Sequence, residues 1–214
     1  MSSEGELFVI AAASGTGKTS LIRALLQRND RLALSVSDTT RDPRAGEVDG
    51  RHYHFVDREV FQRGIEAGRY LEHAEVFGNL YGTSRDHVQD LWRQGRDVLL
   101  EIDVQGAEQV AERHPQACLI FILPPSMATL AERLVNRQSD SAEVVRRRLS
   151  EARREIEACR RFHWLVVNDD FDQALRELAA IMTTWPLRQE RQAGHVRQLL
   201  DESPPDLTID GYPD

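Results

Sequence analysis

The chain has 214 residues, of which 41% are hydrophobic and 29% are charged, so it can bury one sizeable core but hardly two large domains. The formal net charge of −8 argues against a broad surface for nucleic acid or for an anionic membrane. We therefore expect no nucleic-acid partner and no membrane partner, and we expect any bound anion to be held by a local cluster of arginines.

The cellular location is predicted from the cysteines and from the start of the chain. Cys118 and Cys159 have no metal-like spacing and are expected to be reduced thiols. The first residues are acidic rather than basic, and the short apolar run that follows is typical of a strand rather than a signal peptide. No apolar run approaches the length of a membrane span. We expect a cytoplasmic protein, and the oligomeric state stays open.

Buried strands alternate with helices along most of the chain. The predicted core strands are residues 7–12, 31–37, 97–103, 117–123 and 164–169. The predicted helices are residues 18–28, 57–68, 84–95, 107–113, 126–137, 142–162 and 171–185, with a further helix from residue 186. This alternation is typical of an α/β fold in which a parallel sheet is covered on both faces.

Two segments interrupt that alternation. Residues 38–50 are rich in turn residues and are predicted as a loop, followed by extended stretches at 51–56 and 70–79. Residues 136–142 are polar and are predicted as a hinge between helices. We expect both segments at the carboxyl edge of the sheet, where ligands bind in such folds.

The stretch "AAASGTGKTSL" is predicted to bind phosphate. Its central positions are Ala12, Ala13, Ser14, Gly15, Thr16, Gly17, Lys18 and Thr19, with alanine in place of the first glycine of G-x-x-x-x-G-K-[ST]. Such loops surround a polyphosphate with backbone N–H groups ahead of a helix. Lys18 is the only lysine among 27 basic residues, and a compact ammonium fits such a loop better than a planar guanidinium. The loop predicts a nucleoside triphosphate with Mg²⁺ on Thr19; the alternative is a turn without a ligand.

A second group of residues is predicted to bind a monophosphate. Arg41 and Arg44 lie in one turn, and Tyr53 and Tyr81 add hydroxyl donors. Glu72 in "YLEHAEVF" could accept from both N1–H and the N2 amine of guanine, which adenine does not offer. The alternatives are that the two arginines are solvated loop charges and that Glu72 is a surface residue on an edge strand.

These motifs together resemble the guanylate kinase family. The matching segments are "SDTTRDPRAGEVDGRHYHF", "YLEHAEVFGNLYGTS", "IDVQG", "RLVNRQSDS" and "VND", in the family's order over roughly residues 5–184. The resemblance implies a P-loop three-layer α/β fold with ATP + GMP → ADP + GDP as its reaction and Mg²⁺ as its cofactor. It divides the chain into a core (5–36, 87–135, 162–184), a GMP-binding lobe (37–86) and a helical lid (136–161), with residues 185–214 as a C-terminal helix and polar tail.

The resemblance also implies a role for each matching residue. For GMP these are Ser37, Glu72 and Thr83 at the guanine, Arg41, Arg44, Tyr53 and Tyr81 at the phosphate, Gly82 for close approach of the backbone, and Asp103 beside Mg²⁺ and the acceptor. For ATP they are the loop residues 12–19, the lid residues Arg137 and Arg148 at the phosphates, and Asn168 near the adenine. The implied catalytic residues are Lys18, Arg41, Asp103, Arg137 and Arg148.

Two other functions are compatible with the same fold. One is a non-catalytic guanylate-kinase-like module that binds a protein in the acceptor cleft, although such modules typically lack an intact phosphate loop. The other is a kinase for a sugar phosphate, which would not need Ser37, Glu72 and Tyr81 together. Asp103 could also serve as the N-cap of the next helix, which is compatible with a role at the acceptor.

Overall fold

The computed structural model describes residues 5–76, 78–135 and 142–202. Its strands are β1 (Leu7–Ala12), β2 (Leu32–Leu34), β3 (Asp38–Thr39), β4 (His54–Phe55), β5 (Tyr70–Val76), β6 (Asn79–Ser84), β7 (Asp97–Glu101), β8 (Cys118–Leu123) and β9 (Trp164–Val167). Its α-helices are α1 (Lys18–Arg28), α2 (Arg58–Glu66), α3 (Arg85–Arg93), α4 (Val104–Arg113), α5 (Met127–Val135), α6 (Ala142–Ala158), α7 (Phe171–Thr184) and α8 (Gln189–Asp201).

The large sheet is the parallel core that the sequence predicted. Its five strands run in the order β2-β7-β1-β8-β9, and each neighbouring pair is parallel. Successive side chains of β1 point to opposite faces of the sheet. Phe8 and Ile10 pack against α1 and α7, whereas Leu7, Val9 and Ala11 pack against α3 and α4. The three-layer α/β prediction is therefore confirmed, with β1 at the centre.

Strand β9 lies at the edge of this sheet rather than in its interior. Trp164, Leu165 and Val167 remain 40%, 50% and 46% exposed, and only Val166 is fully buried. Its apolar composition correctly predicted a strand of the core sheet. The exposure arises because an edge strand lacks a neighbour on one side. Composition alone does not show which strand of a sheet will be at its edge.

A second, smaller sheet is formed by the segment that interrupts the alternation. Its order is β4-β3-β6-β5, with β3–β4 parallel and β3–β6 and β5–β6 antiparallel. The prediction of a loop over residues 38–50 was wrong at its start, since Asp38 and Thr39 form β3, and β6 was not predicted at all. Both are polar or glycine-containing segments whose composition gives little indication of a strand; β3 pairs with the distant β6, and β6 pairs along its length with the preceding strand β5.

The small sheet has its own apolar cluster and is attached to the core by α4. Phe61 stacks on Tyr70 at 4.4 Å between ring centroids, and the Tyr70 hydroxyl donates to Asp38 Oδ2 at 2.8 Å. On α4, Gln109 accepts from the N–H of His73 and donates to its carbonyl. This side-chain amide satisfies the free edge of β5 as another strand would, so it fixes the small sheet against the large one.

The C-terminal helix is anchored to the start of the large sheet by polar contacts. Arg191 on α8 donates to the carboxylate of Glu6, next to the first residue of β1. Helix α8 itself has no buried residue, and residues 203–214 of the predicted tail lie outside the described part of the chain. Among the described residues, no helix combines the length and the apolar character that crossing a membrane requires.

A substitution at Gly82 tests the packing of the small sheet. A Cβ there would lie 2.9 Å from Phe61 Cζ and 2.9 Å from Tyr70 Cδ1, so Gly82→Ala should lower the free energy of unfolding by about 1–3 kcal/mol. Gly194→Ala on α8 is the control, because a Cβ at Gly194 meets nothing within 4 Å and alanine favours the helix. Denaturant unfolding measures both variants. Equal stability of the two would contradict the packing described.

Candidate active site

The predicted phosphate loop connects β1 to α1 in a conformation that only glycine adopts easily. Gly15 and Gly17 have φ angles of +95° and +93°, in the left-handed region. The N–H and hydroxyl of Thr16 both donate to the carbonyl of Ala13, which closes the turn. Gly17 precedes α1 and offers no side chain to cap it. The first N–H groups of α1 are therefore available to an anion.

Lys18 extends from this loop to the end of the neighbouring strand β7. Its Nζ donates to the carbonyl of Ile102 at 3.1 Å and lies 4.0 Å from Glu101 Oε1. Burial lowers the pKa of Lys18, and the nearby carboxylates of Glu101, Asp103 and Glu155 oppose that shift. The ammonium is thus surrounded by acceptors between the loop and the sheet edge.

Residues that follow β9 or lie on α6 donate hydrogen bonds to the phosphate loop. Asn168, which follows β9, donates from Nδ2 to the carbonyl of Thr16 at 2.6 Å. A Cβ at Gly17 would lie 2.6 Å from that same nitrogen, so glycine is required there for space as well as for φ. Arg148 on α6 donates to Ser14 Oγ at 2.7 Å. Two predicted ATP residues, Asn168 and Arg148, therefore contact the loop directly.

Two acidic residues mark the carboxyl end of β7. Glu101 accepts from the hydroxyl of Thr19 at 2.7 Å. Asp103 accepts from the N–H of Gly106 at 2.8 Å and is the N-cap of α4, as the sequence suggested. Both carboxylates face the same cavity as the phosphate loop.

The two arginines of the predicted monophosphate site share one carboxylate. Arg41 Nη2 donates to both oxygens of Glu47 at 2.9 Å each, and the backbone N–H of Arg44 donates to Glu47 Oε2 at 2.7 Å. The Arg41 guanidinium also lies 5.5 Å from the ring centroid of Tyr53, which is 5.8 Å from that of Tyr81. Arg41 is not a solvated loop charge, since it packs among these groups.

Glu72 is buried, although β5 is an edge strand of the small sheet. Its side chain is 2% exposed, and the hydroxyl of Thr83 donates to its Oε1 at 2.6 Å. Burial raises the pKa of Glu72 to about 7, against an ordinary value of 4.5. A Cβ at Gly106 would lie 2.5 Å from Glu72 Oε2, so the helix leaves just enough room for the carboxylate. The surface alternative for Glu72 is wrong.

One cavity of about 390 Å³ joins the phosphate loop, the carboxyl end of β7 and part of the small sheet, whereas Arg41, Arg148 and Asn168 are not among the residues that line it. The predicted residues that line it are the loop residues 12–19, Ser37, Arg44, Tyr53, Glu72, Tyr81 and Asp103. Thr83 contacts the cavity residue Glu72, whereas Gly82 is turned toward Phe61 and Tyr70 inside the small sheet. Arg137 lies outside the described residues.

Sequence reasoning missed three carboxylates near these groups. Glu101 and Glu155 line the cavity, and Glu47 pairs with Arg41. Glu101 could have been found from its position two residues before Asp103, at the carboxyl end of a core strand. Glu47 lies in the matching segment "SDTTRDPRAGEVDGRHYHF" but was given no role, because its pairing with Arg41 is defined only by the folded chain, and Glu155 carries no comparable local signal.

The raised pKa of Glu72 predicts a change of stability with pH. Because the folded-state pKa lies above that of the unfolded chain, the carboxyl group favours folding below about pH 4.5 and this contribution is lost as pH rises through 7. Glu72→Gln removes the ionisation and keeps an acceptor for Thr83. At pH 8 the variant should be more stable than the parent by about 3 kcal/mol, and near pH 5 the difference should be small. Denaturant unfolding from pH 5 to 8 measures this, and a pH-independent difference would contradict it.

Comparison with known proteins identifies one family, both by a family model and by individual relatives. The family model described as guanylate kinase matches residues 4–185. The guanylate kinase of Alkalilimnicola ehrlichii is 54% identical over 188 residues, covering 88% of this chain and 93% of the relative. That of Neisseria gonorrhoeae is 52% identical over 200 residues, covering 94% and 98%.

A solved structure gives the same answer at the level of the fold. The crystal structure of guanylate kinase from Anaplasma phagocytophilum superimposes with a TM-score of 0.76 at 36% identity, covering 92% of this chain and 94% of that one. The chain belongs to the guanylate kinase family.

Proposed function

We propose that the cavity binds ATP and GMP side by side and that the chain transfers the γ-phosphoryl group of ATP to the phosphate of GMP. The observation that carries this proposal is that one cavity is lined both by the phosphate loop and by Arg44, Glu72 and Tyr81. A triphosphate on the loop would therefore face a monophosphate on the small sheet. Membership of the guanylate kinase family supports ATP as the donor and GMP as the acceptor.

Glu72 is the residue to which we assign selection of guanine. Its ionised carboxylate would accept from N1–H and the N2 amine together, with Ser37 and Thr83 as neighbouring hydroxyls. Thr83 donates to Oε1 and so holds one oxygen in place. Adenine has an acceptor at N1 and no N2 amine, so it would place an acceptor against the buried carboxylate and leave Oε2 without a donor from the base. Leaving a buried carboxylate oxygen without a hydrogen-bond donor costs binding free energy, so the site should select against adenine.

The reaction requires alignment and charge neutralisation rather than a covalent intermediate. The GMP phosphate is anionic and is itself the nucleophile. We assign Lys18 to the β- and γ-phosphates, Arg41 and Arg44 with Tyr53 and Tyr81 to the GMP phosphate, and Asp103 to the organisation of the acceptor. Arg137 and Arg148 are assigned to the ATP phosphates and Asn168 to the neighbourhood of the adenine, and these assignments rest on the family motifs.

The residues at the edge of the loop suit a magnesium ion. Thr19 Oγ1 and Glu101 Oε1 are 2.7 Å apart, and both are oxygen donors of the kind that Mg²⁺ prefers. No group of three or more His, Cys, Asp or Glu in the described part of the chain could hold a metal. Mg²⁺ at kinase sites is usually bound through one or two protein oxygens together with substrate phosphates. Thr19 and Glu101 would hold the ion, which would neutralise charge on the transferred phosphoryl group.

The first experiment measures ADP formation by the purified protein with ATP and Mg²⁺ in the presence of GMP, AMP, CMP, UMP, a sugar phosphate or no acceptor. Turnover confined to guanine nucleotides supports the proposal. Binding of ATP without phosphorylation of any acceptor would support a protein-binding module instead, and turnover with the sugar phosphate alone would support a sugar-phosphate kinase. Because ATP and GMP are cytoplasmic metabolites, the proposal includes a cytoplasmic location.

Lys18→Arg tests the phosphate loop. The guanidinium is larger and directional, and it should not fit between the loop and the Ile102 carbonyl that Lys18 contacts. We expect a folded protein whose kcat falls by at least about 100-fold, as is typical when one charge-stabilising donor is lost. Circular dichroism checks the fold, and near-normal turnover would contradict the role assigned to Lys18.

The pKa of Glu72 predicts how guanine binding depends on pH. Only the carboxylate accepts from both guanine donors, and with a pKa of about 7 it is largely protonated in acid. Guanosine, which lacks a titrating phosphate, should bind about tenfold more tightly per pH unit up to pH 7 and then level off. Inhibition of the GMP reaction by guanosine measures this affinity. The dependence should disappear in Glu72→Gln, together with most of the selectivity against AMP.

A further inference from the structure

Residues 41–47, between β3 and β4, form a turn that we call the arginine turn, and Glu47 contacts both of its arginines. Its two carboxylate oxygens accept from Arg41 Nη2 at 2.9 Å each, and Oε2 also accepts from the backbone N–H of Arg44 at 2.7 Å. The N–H of Glu47 in turn donates to the carbonyl of Arg44 at 3.0 Å. One side chain therefore holds both the guanidinium of Arg41 and the backbone at Arg44.

The Arg41–Glu47 ion pair is less exposed than the Arg58–Glu75 pair of the same lobe. The side chains of Arg41 and Glu47 are 13% and 19% exposed, whereas those of Arg58 and Glu75 are 58% and 54% exposed at 3.2 Å. The Arg44 N–H and the Arg41 guanidinium hold the pKa of Glu47 below its ordinary value. Exposed pairs contribute little because water screens them. The Arg41–Glu47 pair is shielded and stays charged.

The remaining contacts of Arg41 restrict its guanidinium further. Nη1 donates to the carbonyl of Asp42 at 2.6 Å, and the guanidinium carbon lies 5.5 Å from the ring centroid of Tyr53 and 5.9 Å from that of Phe55. An arginine side chain has many rotamers, and fixing one of them on binding costs free energy. Here the rotamer is already selected before a ligand arrives.

We propose that Glu47 is a positioning residue for the acceptor phosphate. Its carboxylate holds Arg41 and the backbone of the arginine turn in the arrangement that receives a nucleoside monophosphate. The inference rests on the proposed function, in which these arginines bind the phosphate of GMP. Glu47 contacts the arginines and not the reacting atoms, so it acts through them. Its effect should be confined to ligands that carry the phosphate.

The direction in which GMP affinity changes when Glu47 is replaced distinguishes a positioning role from a purely electrostatic one. Glu47 places a negative charge beside an anion site, so electrostatics alone predicts that its removal strengthens GMP binding. Positioning predicts the opposite, because Arg41 and the turn must then be ordered by the ligand itself. The carboxylate bonds to two separate groups of the site, and we expect the loss of this order to outweigh the gain in charge.

The test compares Glu47→Ala and Glu47→Gln with the parent protein. In Glu47→Ala the KM for GMP should rise by about 10- to 100-fold, the range for losing hydrogen bonds to a charged group. The inhibition constant of guanosine and the KM for ATP should stay within about twofold. Glu47→Gln keeps an acceptor oxygen for Arg41 or Arg44 and should recover part of the loss. Glu75→Ala is the matched control, since it removes the exposed partner of Arg58, and it should leave all three constants unchanged.

Three results would overturn the proposal. A lower KM for GMP in both Glu47 variants would make Glu47 a purely electrostatic neighbour. An unchanged KM in Glu47→Ala would remove it from the phosphate site. Loss of guanosine affinity in parallel with that of GMP, in both variants, would mean that Glu47 only supports the fold of the small sheet. Failure of the parent protein to phosphorylate GMP would instead reject the proposed function, and the parent measurement separates the two cases.

Discussion

The parallel register between β1 and β7 determines where every part of the site lies. Leu7 pairs with Val98 and Ile10 pairs with Glu101, so both strands end at the same edge of the sheet. Beyond that edge β1 continues into the phosphate loop and β7 into Ile102 and Asp103. Lys18 then reaches back to the Ile102 carbonyl and ties the two strand ends together. A slip of one residue would exchange the side chains that pack in the two core clusters on either face of the sheet, so the packing of both clusters fixes this register and with it the site.

The charges of the site are balanced within the protein itself. Lys18 lies beside Glu101, and Arg41 is paired with Glu47, in a chain whose net charge is −8. The overall field of the molecule repels an anionic nucleotide, so its binding has to depend on local donors. Because the cations are already held by carboxylates, they are ordered before a phosphate arrives. The site therefore depends on the placement of a few cations rather than on their number.

The parts of the site that were predictable from sequence are those encoded by neighbouring residues. The phosphate loop is one uninterrupted stretch between a buried strand and a helix, so its glycines and Lys18 were sufficient to locate it. Strands β3 and β6 were missed because their polar and glycine residues carry little strand signal, and both strands are defined by their neighbours in the small sheet, β4 and β6 for β3 and β3 and β5 for β6. Glu47 was given no role from the sequence, since nothing in a turn of mixed charges shows which acid pairs with which arginine. Family motifs supplied the residues that pattern alone left open, such as Glu72.

Glu72, which we propose as the residue that recognises the base, lies next to the end of β7 and is separated from it by one glycine of α4. Gly106 donates its N–H to Asp103, and its missing side chain leaves the space that the Glu72 carboxylate occupies. The buried carboxylate lowers stability at neutral pH, where its pKa of about 7 leaves it partly charged. A protein selected for stability alone would place a neutral residue there, so the carboxylate is explained by a ligand with two adjacent donors. The guanine edge has that pair of donors, and the same helix turn that makes room for Glu72 also holds the Asp103 carboxylate at the end of β7, where we propose that the acceptor binds.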